Sequence, residues 1–284
     1  MRTCLLVAAI CLAARAAPVL ADRDPNSGAP LPPAKHAPAS PITDHFWIRA
    51  AYFAPHARTN LRVDPSNAPP GTTGTPLSAE NDLGLPKRLH QGRVDFMFRL
   101  RERSKVRVDY YEANRSGSQV LANDVVFGNN TFAAGQLAQT TLNWQQFDIT
   151  YTYSFIRNDR FEVGTGLAVY FLQVNATGAV PAQNQHQEVS AATPFPALPL
   201  DFVWCISSRW SVTARAAFLK ANLNGFEGWY ADSGEDVQYR WNPNFVIGAG
   251  YASIRTNLTR SGGSFPGVFN MSIGGPELFI RFSF

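Results

Sequence analysis

Cysteine is scarce in this chain, and the placement of the few present says more than their number. Of three cysteines, Cys4 and Cys11 sit near the amino terminus and only Cys205 follows. An intramolecular disulfide framework beyond the first segment is therefore excluded, and with it a small stapled secreted domain. Long apolar runs are missing too. Past Ala21 no stretch reaches the ~18 residues that a membrane-crossing helix needs. Charge is sparse: 16% of residues are Asp, Glu, Lys or Arg, against 45% hydrophobic, which is little polarity for a surface that faces water. The formal net charge of +4 shrinks once Arg2 and Arg15 are set aside, and no basic tract stands out, so no nucleic-acid partner is expected. Phosphate loops, dinucleotide fingerprints and zinc spacings are absent, so neither a cofactor nor a metal is expected.

What is present begins with an export signal. Arg2 gives a positive start, Cys4 to Ala14 a short apolar stretch, and Val19-Leu20-Ala21 the small-residue pattern of a cleavage site, which assigns residues 1–21 to a signal peptide. Ala8, Ala9 and Ile10 make a poor lipobox before Cys11, so lipidation is not expected. Residues 22–43 are rich in Pro, Ala and Ser and read as a periplasmic linker without a core of its own.

From residue 44 to the end the pattern has period two. We read an all-β chain of about ten strands, with eight or twelve as the alternatives. They fall near 45–55, 91–101, 105–115, 143–156, 160–175, 194–206, 209–222, 228–241, 245–259 and 267–284. Each is long enough for a tilted membrane span of about nine to eleven residues. Short polar turns (Arg101 to Lys105, Arg157 to Arg160, Ser207 to Arg209, Asn242 to Asn244) alternate with generally longer links at 56–90, 116–142, 176–193, 223–227 and 260–266. That alternation is the habit of a closed antiparallel transmembrane up-and-down β-barrel.

Within the strands one face is apolar and the other polar. Val94, Phe96, Phe98 and Leu100 oppose Asp95 and Arg99. Phe147, Ile149, Tyr151, Tyr153 and Phe155 oppose Asp148, Thr150, Thr152 and Ser154, while Leu198, Leu200, Phe202, Trp204 and Ile206 oppose Asp201. The apolar rows are rich in aromatics, and Phe155, Phe161, Trp210, Trp241, Phe245 and Phe284 gather beside the short turns as an interfacial girdle would. The apolar rows are accordingly assigned to lipid. The lumen then receives Arg49, Arg93, Arg99, Arg107, Arg215, Arg240 and Arg281 together with Asp95, Asp109, Asp148, Glu162, Asp201, Asp236 and Glu277. Such a balanced set in a narrow barrel predicts ion-pair networks rather than an open ion-selective pore. Gly164, Gly166, Gly248 and Gly250 also face inward, where they relieve crowding or, alternatively, line a constriction. Cys205 reads as a small apolar wall residue.

The histidines are the candidates for catalysis. His56 and His90 flank the first long link, which contains Asp82; His45 lies near the periplasmic end, and His186 in a polar loop. Solvated loop histidines are the expectation, and no catalytic or metal site is assigned.

The chain closes on Leu278, Ile280, Phe282 and Phe284, alternating with Phe279, Arg281 and Ser283. This resembles the terminal signature of outer-membrane barrels, which implies recognition by the barrel-insertion machinery. The segments Val237–Trp241, Phe245–Tyr251 and Gly275–Ile280 resemble the generic small OmpA/OmpW-like barrels of Gram-negative bacteria. That resemblance implies an outer-membrane location and contact with its lipids and lipopolysaccharide. A periplasmic anchoring domain of the OmpA kind is not expected after Phe284. The function implied is non-enzymatic: a structural or passively binding barrel with a narrow charge-lined lumen. A channel for small or hydrophobic solutes is the first alternative, and a rim hydrolase acting on protein or lipid A the second.

Overall fold

Side chains alternate across a strand, so a strand that is apolar on one face must bury that face against something apolar. The computed structural model shows how this chain does so. It describes residues 39–66, 71–181, 185–223, 225–261 and 266–284; the expected signal peptide at 1–21 and all but the last residues of the Pro-rich segment lie outside the described residues. The strands are β1 (Phe46–Phe53), β2 (His56–Val63), β3 (Leu77–Ser78), β4 (Gln91–Arg101), β5 (Ser104–Val120), β6 (Val125–Phe127), β7 (Asn130–Phe132), β8 (Leu137–Arg157), β9 (Phe161–Val180), β10 (Gln185–Cys205), β11 (Trp210–Leu223), β12 (Phe226–Asn242), β13 (Phe245–Arg260) and β14 (Gly267–Ser283).

Neighbouring strands pair antiparallel around one sheet, and β1 meets β14 from Trp47↔Ser283 to Phe53↔Glu277, which closes the barrel. The β1 and β2 segments are one wall strand interrupted at Ala54-Pro55, because both pair with β14 in sequence. With β3 a two-residue flank, the result is a closed barrel of ten wall strands. The hairpin β6–β7 is a separate small sheet.

The outward rows carry the apolar side chains. Leu100, Leu198, Leu200, Phe218, Leu278 and Ile280 are all exposed, as are the aromatics Phe155, Phe161, Trp210, Trp241 and Phe284 beside the short turns. A surface of this kind is stable only against lipid. Phe245, the sixth expected girdle residue, is half-buried against Phe282, with ring centres 5.2 Å apart.

The long links of the sequence reading need correction. Residues 56–63, 116–120, 137–142 and 176–180 are strand, as is 185–193, so the wall rises well beyond the apolar belt. The reason is a change of phase. In β8, Phe147, Ile149 and Tyr151 point outward, but above them Leu142 and Trp144 are buried inside. Likewise β13 turns from outward Ile247 and Tyr251 to inward Ala252 and Ile254, and β14 from outward Leu278 and Ile280 to inward Met271 and Ile273. Below the switch the solvent is lipid; above it water lies outside and the apolar face moves indoors. The switch marks the outer boundary of the membrane.

The end of the Pro-rich segment is also more ordered than a linker. Residues 40–44 form a turn (Asp44 N–H to Ser40 O, 3.0 Å), and Ile42 packs against Val203 and Cys205 at the periplasmic mouth.

Gly248 shows why inward glycines occur. A Cβ there would lie 2.2 Å from the Phe279 ring, and Phe279 in turn carries the Arg49 guanidinium 3.9 Å over its centre. Gly248→Val should therefore destabilise the barrel by about 1–3 kcal/mol through overpacking. The added substitution Phe279→Leu should restore part of the loss. Urea unfolding in lipid vesicles measures both.

Candidate functional site

The lumen is the candidate site, and it is stratified. At the periplasmic floor Asp44 accepts from Arg240 (2.6 Å) and Arg281 (3.3 Å). Beside them the Arg99 fork grips both oxygens of Glu162, at 2.9 and 3.0 Å. Arg99 also donates to the Asp44 carbonyl at 3.2 Å.

Above the floor lies the main charge layer. Asp95 stands among three arginines, with Arg49 at 3.0 Å, Arg215 at 3.4 Å and Arg93 at 3.6 Å. Arg49 also pairs with Glu277 and lies 3.9 Å from Asp236. Arg93 holds Asp109 at 2.8 Å and reaches across the lumen to Asp232 at 3.3 Å. Arg107 and Lys105 share Asp201, at 3.1 and 3.6 Å. Each of the fourteen charged residues assigned to the lumen by alternation is buried or nearly so. Asp148 stands apart: it accepts from the Thr150 hydroxyl at 3.1 Å and joins no ion pair among the described residues.

Next comes a band of aromatic and amide groups. Tyr230 donates to Gln146 (2.8 Å), Gln146 donates to Asp232 (3.3 Å), and Tyr170 lies against Tyr230 with ring centres 4.9 Å apart. Phe53, Tyr111 and Trp144 are buried in the same layer. The extracellular third is apolar. Residues of the first link (Leu77, Ala79, Leu83, Leu85) pack there with Leu61, Leu121, Leu142 and Val180, and with Val125, Phe127 and Phe132 of the β6–β7 hairpin. The link is tied to β5 by Arg115, which pairs with Glu80 and donates to Thr59 Oγ1 (2.8 Å) and the Pro86 carbonyl (3.1 Å). Gly84, at φ +70°, approaches Gly117 so closely that a Cβ on Gly117 would sit 2.3 Å from the Gly84 carbonyl oxygen.

Among the described residues, the cavity lined by Trp47, Arg49, Arg99, Arg107, Asp201 and Arg281 holds about 70 Å³. That is room for a few water molecules.

Alternation alone missed several partners. Asp232 and Arg115 lie within the expected strands 228–241 and 105–115 and share the parity of Asp236 and of Arg107 and Asp109, so the same alternation, carried along the whole of each strand, finds both. Asp44 and Glu80 lie in turns, where no period exists to place them. The candidate catalytic residues engage separate partners. His56 accepts from Arg88 Nε at 3.3 Å, His90 bonds to the Tyr52 hydroxyl, and the Asp82 carboxylate caps the Ser78 N–H at 2.7 Å. Of His186 only the backbone, in β10, is described.

No family model matches the chain, and no curated protein matches it. Solved structures do. The outer membrane protease OmpT of Escherichia coli superposes with a TM-score of 0.55 at 9% identity, covering 84% of this chain and 96% of its own. The Yersinia pestis attachment invasion locus protein Ail scores 0.36 at 10% identity over 84% of this chain and 99% of its own. The Pseudomonas putida toluene transporter TodX scores 0.33 at 6% identity, over 87% and 92%. At these identities the likeness is one of fold, and only the first superposition is close enough to weigh. With the exposed apolar belt, it identifies a Gram-negative outer-membrane β-barrel whose lumen is lined by charged and polar residues.

Glu162→Gln should leave Arg99 buried without its counter-charge and cost about 3–5 kcal/mol of stability. The paired change Arg99→Met with Glu162→Met should cost clearly less. Unfolding midpoints of the three proteins in urea check the order.

Proposed function

We propose that this protein is a closed, non-enzymatic barrel, with a structural or passive binding role carried by its extracellular crown. One observation carries the reading: the lumen is filled at successive levels by different chemistry. Interlocked ion pairs occupy the periplasmic half, aromatic and amide groups the middle, and an apolar plug from the first link and the β6–β7 hairpin the top. Buried ion pairs of this density hold one another in place, and an ion entering the lumen would have to displace a fixed partner. The tall wall strands then present a rigid rim well above the lipid. Its partners in this reading are outer-membrane lipids, lipopolysaccharide among them, and the insertion machinery that meets the outward row Leu278, Ile280, Phe282 and Phe284. Kinship with small OmpA/OmpW-like barrels belongs to the same proposal and rests on the sequence of the last three strands.

Two measurements test it. The protein without residues 1–21, refolded and verified by a heat-dependent gel shift, should show no discrete conductance steps in planar bilayers. Reproducible steps would instead favour the solute-channel reading. His56, Asp82 and His90 point to separate partners, so the hydrolase reading predicts something different: peptide or lipid A hydrolysis that His56→Ala with His90→Ala abolishes. Our reading expects no such activity to lose.

A further inference from the structure

Inside the barrel nearly every arginine has a carboxylate partner; on one sector of its outer wall the arginines have none. The registers β13–β14 and β14–β2 place Arg255, Ser272 and Arg58 side by side in one row. The row below holds Ser253, Gly274 and His56, with Arg88 bridged to His56 on the far side. Arg58, Arg88 and Arg255 are exposed. Among the described residues no carboxylate lies within ion-pair distance of any of them. Glu112, a nearby outward carboxylate on β5, is engaged by Tyr110 (2.7 Å) and Asn114.

The height of this cluster is fixed by the fold. It stands just above outward Tyr52 and Tyr251 and just past the phase switch in β13 and β14, at the level where hydrocarbon gives way to headgroups. A tilted span takes about nine to eleven residues, and counting that far from Phe46 or Phe245 at the periplasmic girdle reaches His56 and Arg255. On β8, β9 and β10 the outward residues at this height are uncharged (Gln145, Phe171, Gln173 and Pro194), and on β11 Lys220 stands there as a single cation. Between Arg255 and Arg58 the wall carries serine and glycine, which leaves a shallow shelf with hydroxyl groups on its floor, and His56 separates that shelf from Arg88.

We propose that Arg58, Arg88 and Arg255, with the hydroxyls of Ser253 and Ser272, form a binding site for the phosphate of a phosphorylated glycolipid in the outer leaflet. Guanidinium forks match phosphate oxygens in geometry and charge. At the membrane surface neighbouring strands are about 4.8 Å apart, so two arginines flanking a serine strand can close on one phosphate from both sides. The site uses the outer wall alone and holds whether or not the lumen conducts.

The test uses folded protein in neutral detergent, with binding followed by native mass spectrometry. It is titrated with phosphorylated lipid A, with the same lipid dephosphorylated, and with inorganic phosphate. Phosphorylated lipid A should bind, and removal of its phosphate should weaken binding about tenfold or more. Arg58→Gln with Arg255→Gln should weaken it about twenty-five-fold, at roughly fivefold per arginine near a membrane surface. Arg58→Lys with Arg255→Lys should stay close to the parent, and Arg209→Gln, at a periplasmic turn, should change nothing. Each variant is first shown to be folded by its heat-dependent gel shift. Equal binding with and without phosphate on the lipid, or undiminished binding by the double glutamine variant, would overturn the proposal. Inorganic phosphate displacing the lipid at similar concentration would assign the shelf to free anion and overturn the lipid assignment.

Discussion

A charge taken out of water must find an opposite charge, and in this barrel that requirement organises everything else. Moving an isolated ion into a low-dielectric interior costs several kcal/mol even after relaxation. The wall has apolar side chains committed to lipid, so its polar face has nowhere to go but inward. Arginines on that face meet carboxylates both on neighbouring strands and across the lumen. Arg49 joins β1 to β4, β12 and β14; Arg93 joins β4 to β12; Arg107 joins β5 to β10. Such cross-ties do what a hydrophobic core does in a soluble protein: they fix which strands lie opposite one another, and so the cross-section. Phe279 supports one of them from the side, held in the space that Gly248 leaves.

The two ends of the barrel complete the arrangement with groups outside the spans. At the periplasmic end Asp44, carried by the turn before β1, neutralises Arg240 and Arg281. At the extracellular end Glu80 of the first link neutralises Arg115, and leucines of the same link fill the apolar mouth. Each end thus receives one carboxylate from a non-strand segment, Asp44 for two arginines and Glu80 for one. The architecture joins one lipid-facing belt and one charged interior to a chemically matched segment at each end.

How much of this the sequence reveals follows from the same physics. Between the girdle and the outer boundary, lipid imposes a strict apolar-outward rule. Phe147, Ile149 and Tyr151 therefore betray their strand and its facing, and the inward position of Asp148 and Thr150 follows by parity. Above the boundary water replaces lipid and the rule inverts: Leu142 and Trp144 turn inward on the same strand. A reading tuned to one phase ends the strand there, which is why 56–63 and 116–120 read as loop. Parity also cannot say which arginine meets which carboxylate across the lumen, since that depends on how the sheet closes. Asp44 and Glu80 act from turns, where alternation has no meaning, and they stayed invisible.

We propose a lumen that is sealed at both ends and filled between them. This is tested most directly by placing a single cysteine at Thr150, a buried residue of the inward row, in a Cys205→Ser background, and exposing the folded protein in vesicles to a membrane-impermeant thiol reagent from either side. The account predicts that this cysteine stays unlabelled from both sides until the barrel is unfolded. Labelling of the folded protein at the rate of a solvent-exposed thiol would show a continuous water path through the lumen and contradict it.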